Sequence, residues 1–305
     1  MIRHVFHVLA RTMLAGVFLS ASPLIAATLQ RADGSEIAYH LLDQTDEDSQ
    51  GIILMLQGSG CEPVIERSWL KSEPSVIAPG RAVLAIEKYG VNIAGEGASD
   101  PDDGCPSEYW QGNTLHQRVS DANQVIAHMR KEPWWNGELI IYGGSEGGAV
   151  AAMLAPLIPE TRAVIVVSSG IGVPVWKLIQ SAVPPFVAVQ IPDIIAEAAA
   201  NPAPGKRFGG ESYKWWADAA NMVPARLLQQ TDVPVLLVHG TRDQFAPVDT
   251  ARATDEIFRQ AGKTNLTYLE LEGYDHFMVD EAGIDHEPEV MLLIASWLRS
   301  QPAIQ

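Results

Sequence analysis

Residues 138–157, ELIIYGGSEGGAVAAMLAPL, run from a strongly apolar segment through four glycines into a small-residue segment, with Ser145 and Glu146 standing between the glycine pairs. The first part reads as a strand buried on both faces, and the part from Glu146 onward reads as a helix. Gly143, Ser145 and Gly147 satisfy G-x-S-x-G, and a strand-to-helix context is what gives that pattern meaning. Glycines two before and two after the serine remove side chains, so that one hydroxyl can be presented on a sharp, strained turn. A phosphate loop would need a following Lys-Ser/Thr pair or a G-x-G-x-x-G arrangement, and neither this stretch nor GEGASD (95–100) supplies one.

Similar apolar runs recur on both sides of this turn. GIILML (51–56), RAVLAIE (81–87), RAVIVVS (162–168), VPVLLVHG (233–240) and LTYLELEG (266–273) are short and rich in Ile, Val and Leu. Helical patterns separate them at 114–131, 146–157, 249–262 and 287–300. Upstream, TLQRADGSEIAYHLL (28–42) reads as an antiparallel hairpin around Asp33-Gly34. The expected fold is α/β: a doubly wound, mostly parallel sheet opened by an antiparallel hairpin. Residues 170–231 contain no strand pattern but many prolines and the aromatic cluster Tyr213, Trp215 and Trp216. An insertion of this length is expected to be a helical cap over the carboxyl ends of the strands, where open α/β sheets bind ligands.

The first 27 residues carry Arg3 and Arg11 without an acid, then an apolar stretch from Thr12 to Leu19, then small residues ending at Ala26 and Ala27. This is the pattern of a secretory signal peptide, with cleavage near Ala26 or Ala27 and residues 28–305 as one mature domain in the periplasm or medium. The alternative, an uncleaved anchor, is opposed by Pro23 and by an apolar stretch shorter than the ~20 residues a span needs. Loss of Arg3 and Arg11 leaves 19 Lys and Arg against 37 Asp and Glu, a net charge of −18. Such a surface repels phosphate backbones and anionic membranes, so neither nucleic acid nor a membrane is expected as a partner. Cys61 and Cys105 are the two cysteines. In an exported chain they are expected to form one disulfide, the alternative being two buried thiols, and no metal site is expected because further ligands at short spacing are lacking.

A serine is a weak nucleophile unless a base takes its proton and an acid orients the base. HGTRDQFAP places Asp243 in the loop beyond one strand, and GYDHF places His276 in the loop beyond the last. Both loops leave the sheet at the end that carries Ser145, and the order Ser, Asp, His suits this architecture. Asp249 opens a predicted helix, where a carboxylate matches the dipole, and Asp275 adjoins His276 in sequence, which seldom lets the two side chains meet. His239 reads as a structural residue at a strand end, and His116 and His128 as packed or solvated positions on an amphipathic helix. Glu146 reads as a first-turn carboxylate favoured by the helix dipole, with a substrate-amine contact as the alternative.

GGSEGG, HGTRDQFAP and GYDHF, in this order, make the chain resemble the α/β-hydrolase family over nearly everything after residue 27. The resemblance implies a Ser145, His276, Asp243 triad that works by acyl transfer without a cofactor. It also implies an oxyanion hole formed by the backbone N–H of Glu146 and by a donor in LQGSGCEP (56–63). There Gln57 stands where the family has His, and Ser59 is the chosen donor, with Gly60 next. The expected activity is hydrolysis of a small-molecule carboxylic ester. A serine peptidase, of aminopeptidase or prolyl-oligopeptidase type, or a thioesterase is the alternative on the same machinery, and a catalytically silent binding protein is a third reading. Trp176, Phe186, Trp215 and Trp216 in the cap suggest an apolar acyl or aryl group, although such residues more often pack a cap's own core.

Overall fold

The structure is a computed structural model that describes residues 25–45, 49–91 and 104–302. The N-terminal segment read as a signal peptide lies outside the described residues up to 24. The chain forms β1 (Ile25–Gln30), β2 (Glu36–Leu42), β3 (Gln50–Leu56), α1 (Ser68–Ile77), β4 (Ala82–Ile86), α2 (Ser107–Gly112), α3 (Leu115–Met129), β5 (Trp135–Gly144), α4 (Glu146–Leu154) and β6 (Thr161–Val167). Next come α5 (Val175–Ala182), α6 (Pro185–Ala188), α7 (Ile191–Ala200), β7 (Arg207–Phe208), β8 (Glu211–Ser212), α8 (Tyr213–Ala219) and α9 (Ala225–Leu228). The last elements are β9 (Val235–Gly240), α10 (Val248–Gln260), β10 (Leu266–Leu271) and α11 (Glu287–Arg299).

Eight strands make one sheet in the order β1-β2-β4-β3-β5-β6-β9-β10. β1 and β2 pair antiparallel, as the Asp33-Gly34 turn predicts, and β2 meets β4 antiparallel; every later pairing is parallel. The alternation of side chains along each strand divides the interior into two layers. Ile52, Leu54, Leu139, Ile141, Val164, Val166 and Leu237 face α3, α4, α10 and the cap. Ile53, Met55, Ile140, Ala163, Ile165 and Leu236 face α1 and α11. A strand with apolar residues on both faces must be covered on both, so helices are required above and below the sheet. For the same reason α4 has no polar face: all residues from Gly147 to Leu154 are buried.

Four features depart from the sequence reading. α1 is a helix although Pro74 lies inside it, because only the Pro nitrogen lacks a donor while Leu70 and Ile77 still reach the core. α2 is another helix that the periodicity did not disclose, being a six-residue segment too short to show a period. Within 170–231, β7 and β8 form a two-residue ladder, too brief to register as an apolar run. β1 begins at Ile25, with Ala26 opposite His40 and Ala27 opposite Tyr39, so a cut near Ala26 or Ala27 would fall inside this edge strand. Among the described residues, no helix is long and apolar enough to cross a membrane.

Candidate active site

The sheet winds in opposite directions on either side of β3 and β5, and the crevice beyond their carboxyl ends is where such sheets collect ligands. Five loops converge there, following β3, β5, β6, β9 and β10. They and the cap enclose a cavity of about 640 Å³ whose wall includes Ser145, His276, Gly58, Ser59 and, from the cap, Glu211 and Trp215.

Ser145 has φ 53° and ψ −124°, a backbone conformation that a residue with a Cβ rarely adopts. Its N–H donates to Val167 O at 2.9 Å and its carbonyl accepts from Gly148 N at 3.0 Å, so β6 and α4 hold the turn on both sides. The flanking glycines are required by contact. A Cβ on Gly143 would lie 2.2 Å from Gly147 O, and one on Gly147 would lie 2.0 Å from Leu56 O. Gly144 has open space in the same direction. Gly147→Ala must therefore push α4 away from β3, and is expected to cost about 3 kcal/mol by overpacking. The melting temperature should fall by roughly 5–10 °C, whereas Gly144→Ala should leave it within ~2 °C; equal melting temperatures for the two variants would refute the contact argument. Ser168 (φ 49°) and Met278 (φ 61°) are also strained and also line the cavity, so backbone strain concentrates around this site.

His276 Nδ1 lies 2.8 Å from Asp243 Oδ2. Asp243 is buried, and its other oxygen, Oδ1, accepts from Phe245 N at 2.9 Å and Ala246 N at 2.7 Å. The carboxylate is thereby anchored by one oxygen and presented to the imidazole by the other. The backbone of His276 is tied to β6 through Ser168 Oγ, which donates to His276 O at 2.9 Å. Phe245 and Phe277 stand against the His276 ring, each with a centroid separation of 5.1 Å, and both are exposed at the rim.

Among the competing residues, His239 lies beside the pair, its Nε2 3.4 Å from Asp243 Oδ2, and the others make separate contacts. Asp249 is exposed and bonds Arg252. Asp275 Oδ1 accepts from Phe277 N and Val279 N, both at 2.9 Å, and shapes the loop that carries His276. His239 is buried and bonds Ala246 O at 2.6 Å, and burial holds its imidazole below the ordinary range. His116 is exposed and bonds Asp218, and His128 is half-buried near Glu132. Cys61 and Cys105 form a disulfide, which joins the loop after β3 to the segment before α2. Closing a loop of 44 residues contributes about 4 kcal/mol in the chain-entropy account.

Glu146 stands in the first turn of α4, as the dipole reading expects, and it is also buried against two cations. Its side chain is 10% exposed; Arg118 Nη1 donates to it at 2.6 Å and Lys88 Nζ lies 3.7 Å away. Burial opposes its ionisation, but Lys88 and Arg118 prevail and lower its pKa. Glu146 is thus already neutralised and is not free to meet a substrate amine. Its N–H occupies the first position of α4, where no intrahelical acceptor exists and the dipole favours an anion. On the facing loop, Gln57, Gly58 and Ser59 line the cavity, whereas Gly60 does not contribute to its wall. Gly58 lies against the serine: a Cβ there would meet Ser145 Cβ at 3.1 Å.

Three further acids face the cavity and were not singled out from the sequence. Glu211, on the cap strand β8, has its pKa raised well above the carboxylate range by burial and then by Glu146. On the other side, Glu73 on α1 is buried, bonds the Glu287 carboxyl and receives the Tyr142 hydroxyl; burial, then Glu287, raise its pKa to about 8 from 4.5. Because the folded value is the higher one, this group's stabilising contribution is complete below about pH 4.5 and is lost as pH rises through 8. Glu73→Gln should match the wild-type melting temperature at pH 5 and exceed it above pH 8; parallel melting curves across that range would contradict the assignment. Of the four apolar cap residues expected at the ligand, only Trp215 reaches the cavity. Trp216 is fully buried, Trp176 packs on the core, and Phe186 is 72% exposed.

The sheet order, the strained serine turn and the aspartate–imidazole pair at one rim define an α/β-hydrolase, and the chain is a serine hydrolase of that fold. Residues 84–283 match the Hydrolase_4 profile, described as serine aminopeptidase, S33, and the chain belongs to this family. It is 25% identical over 147 residues to the human acylamino-acid-releasing enzyme, a match that takes in 45% of this chain and 17% of that enzyme. Among solved structures, Est1E from Butyrivibrio proteoclasticus is similar at a TM-score of 0.59, with 15% identity, 91% of this chain and 99% of that one covered. DcsB in complex with its substrate analogue gives 0.65, with 17% identity and 92% and 100% covered. The acylaminoacyl peptidase of Pyrococcus horikoshii gives 0.62, with 13% identity and 93% and 42% covered. Esterases and peptidases therefore share this fold.

Proposed function

We propose that the protein is a carboxylic-ester hydrolase that works through an acyl-enzyme. Ser145 Oγ attacks the ester carbonyl while His276 Nε2 takes its proton, and the same imidazole returns that proton to the departing alkoxide. Water then repeats the sequence in reverse roles and releases the acid. Asp243 holds Nδ1–H of His276 and stabilises the imidazolium. The amides of Glu146 and Ser59 receive the oxyanion. The observation that carries this reading is the 2.8 Å contact of His276 Nδ1 with a buried, doubly anchored Asp243 on the rim that also presents Ser145. No step calls for a cofactor or metal.

The ester reading is favoured by the apolar side of the cavity, formed by Leu115, Ala149, Ile171, Val175 and Leu178, which suits an acyl or aryl group. A specific observation favours a second reading, a peptidase that requires a free amine. Glu211 is a carboxyl group on the cavity wall whose ionisation is suppressed by burial and by Glu146, and a bound ammonium would reverse that suppression. A panel of short acyl esters, an aryl ester such as methyl ferulate, and aminoacyl anilides separates the two. Turnover of esters with none of the anilides supports the first reading, and preference for the anilides overturns it. Est1E has been seen with ferulic acid bound, which is the reason for the aryl member. We also propose export with removal of the first 26 or 27 residues; N-terminal sequencing of protein recovered outside the cytoplasm tests it, and an intact Met1 there refutes it.

A further inference from the structure

The oxyanion loop is held from behind by two buried cations. Lys88 Nζ donates to Gly58 O at 2.5 Å and to Gly60 O at 2.6 Å. Arg118 Nη2 donates to Gln57 O at 2.6 Å, and its Nη1 donates to Glu146 at 2.6 Å. The side chains of Lys88 and Arg118 are 1% and 6% exposed. Lys88 enters from the end of β4 and Arg118 from the first turns of α3, so two separate elements grip one four-residue stretch.

The planarity of the peptide unit turns this grip into a statement about the amides. In a trans peptide the carbonyl of one residue and the N–H of the next share a plane and point in opposite directions. Gly58 O is drawn to Lys88, so the N–H of Ser59 is aimed away from Lys88. Gln57 O is drawn to Arg118, so the N–H of Gly58 is aimed away from Arg118. Both residues line the cavity, and Gly58 lies against Ser145. The same Arg118 binds Glu146, whose own N–H is the other candidate donor. One guanidinium therefore registers the two halves of the hole against each other.

We propose that Lys88 and Arg118 are positioning residues of the oxyanion hole, fixing the 57–58 and 58–59 peptide planes against the nucleophile turn. The inference rests on the serine-hydrolase reading above. It also accounts for charge that is costly to bury: burial and the neighbouring Arg118 lower the Lys88 pKa to about 8, yet an ammonium is retained where an apolar side chain would have filled the space. The two loop carbonyls that its ammonium holds, and an amide aimed at a developing negative charge, explain its presence.

The test compares wild type with Lys88→Met on a short p-nitrophenyl ester, a fluorophosphonate probe and phenylboronic acid, which forms a tetrahedral adduct with an active serine. Misaimed amides lose transition-state contacts and leave ground-state binding intact, so kcat should fall by about 10²–10³ with KM within about threefold. The labelling rate and the boronate affinity should fall in proportion to kcat/KM. A purely structural role would not produce that proportionality. Should Lys88→Met fail to accumulate as folded protein, Arg118→Gln carries the same comparison with an expected loss of about tenfold. Wild-type labelling together with unchanged labelling and boronate affinity in the variant overturns the inference alone. A wild-type protein inert to the probe overturns the reading beneath it.

Discussion

Ser145→Ala lowers kcat by up to about 10⁶ while leaving the melting temperature near that of the wild type, because the methyl group occupies the same strained turn and only the attacking oxygen is lost. The residual rate should resemble that supplied by the oxyanion hole and binding alone, about 10³–10⁴ above the uncatalysed reaction. KM should change little. The measurement is ester turnover with active-site titration, so that trace contamination is not mistaken for residual activity. Undiminished turnover in the alanine variant would remove Ser145 from the chemistry.

Asp243→Asn should cost about 10⁴ in kcat, and the structure says why the damage is so large for an isosteric change. Oδ1 of Asp243 accepts two backbone N–H bonds, from Phe245 and Ala246. An asparagine must place its carbonyl oxygen there, since its NH2 group cannot accept. The NH2 group then occupies the position of Oδ2 and faces His276 Nδ1, where it forces that nitrogen to be the acceptor. The ring proton moves to Nε2, which can no longer take a proton from Ser145. His239 gives no substitute: it is buried, and its Nε2 bonds Ala246 O at 2.6 Å while lying 3.4 Å from Asp243 Oδ2. A variant retaining more than a tenth of wild-type kcat would mean that the tautomer is set by something other than Asp243.

The sheet and the three principal groups were legible because each follows an apolar run that admits one interpretation. ELIIYG and VPVLLVHG are strands buried on both faces, LTYLELEG is the half-buried strand at the sheet edge, and Ser145, Asp243 and His276 lie just beyond them. The network behind the oxyanion loop was not legible, because its members are far apart in sequence and a charge beside a strand or on a helix ordinarily means a solvated position. One signal was present. In α3 the buried stripe of Leu115, Val119, Ala122, Val125 and Ile126 also contains Arg118 and Asp121, and charged residues on the apolar face of a helix need buried partners. Asp121 finds Arg31 through two contacts of 2.8 Å, and Arg118 finds Glu146 and Gln57 O. The sequence shows that partners are needed; only tertiary structure shows which ones they are. For Glu146 the dipole argument accounts for its position in the first turn of α4, and only its tertiary partners account for its burial.

The account depends on Ser145 being activated by His276, and covalent labelling with a fluorophosphonate followed by peptide mapping tests it most directly. A single adduct on Ser145, lost in His276→Ala while the fold is retained, is the predicted result. An adduct on another residue, or labelling of Ser145 at an undiminished rate without the imidazole, would contradict it.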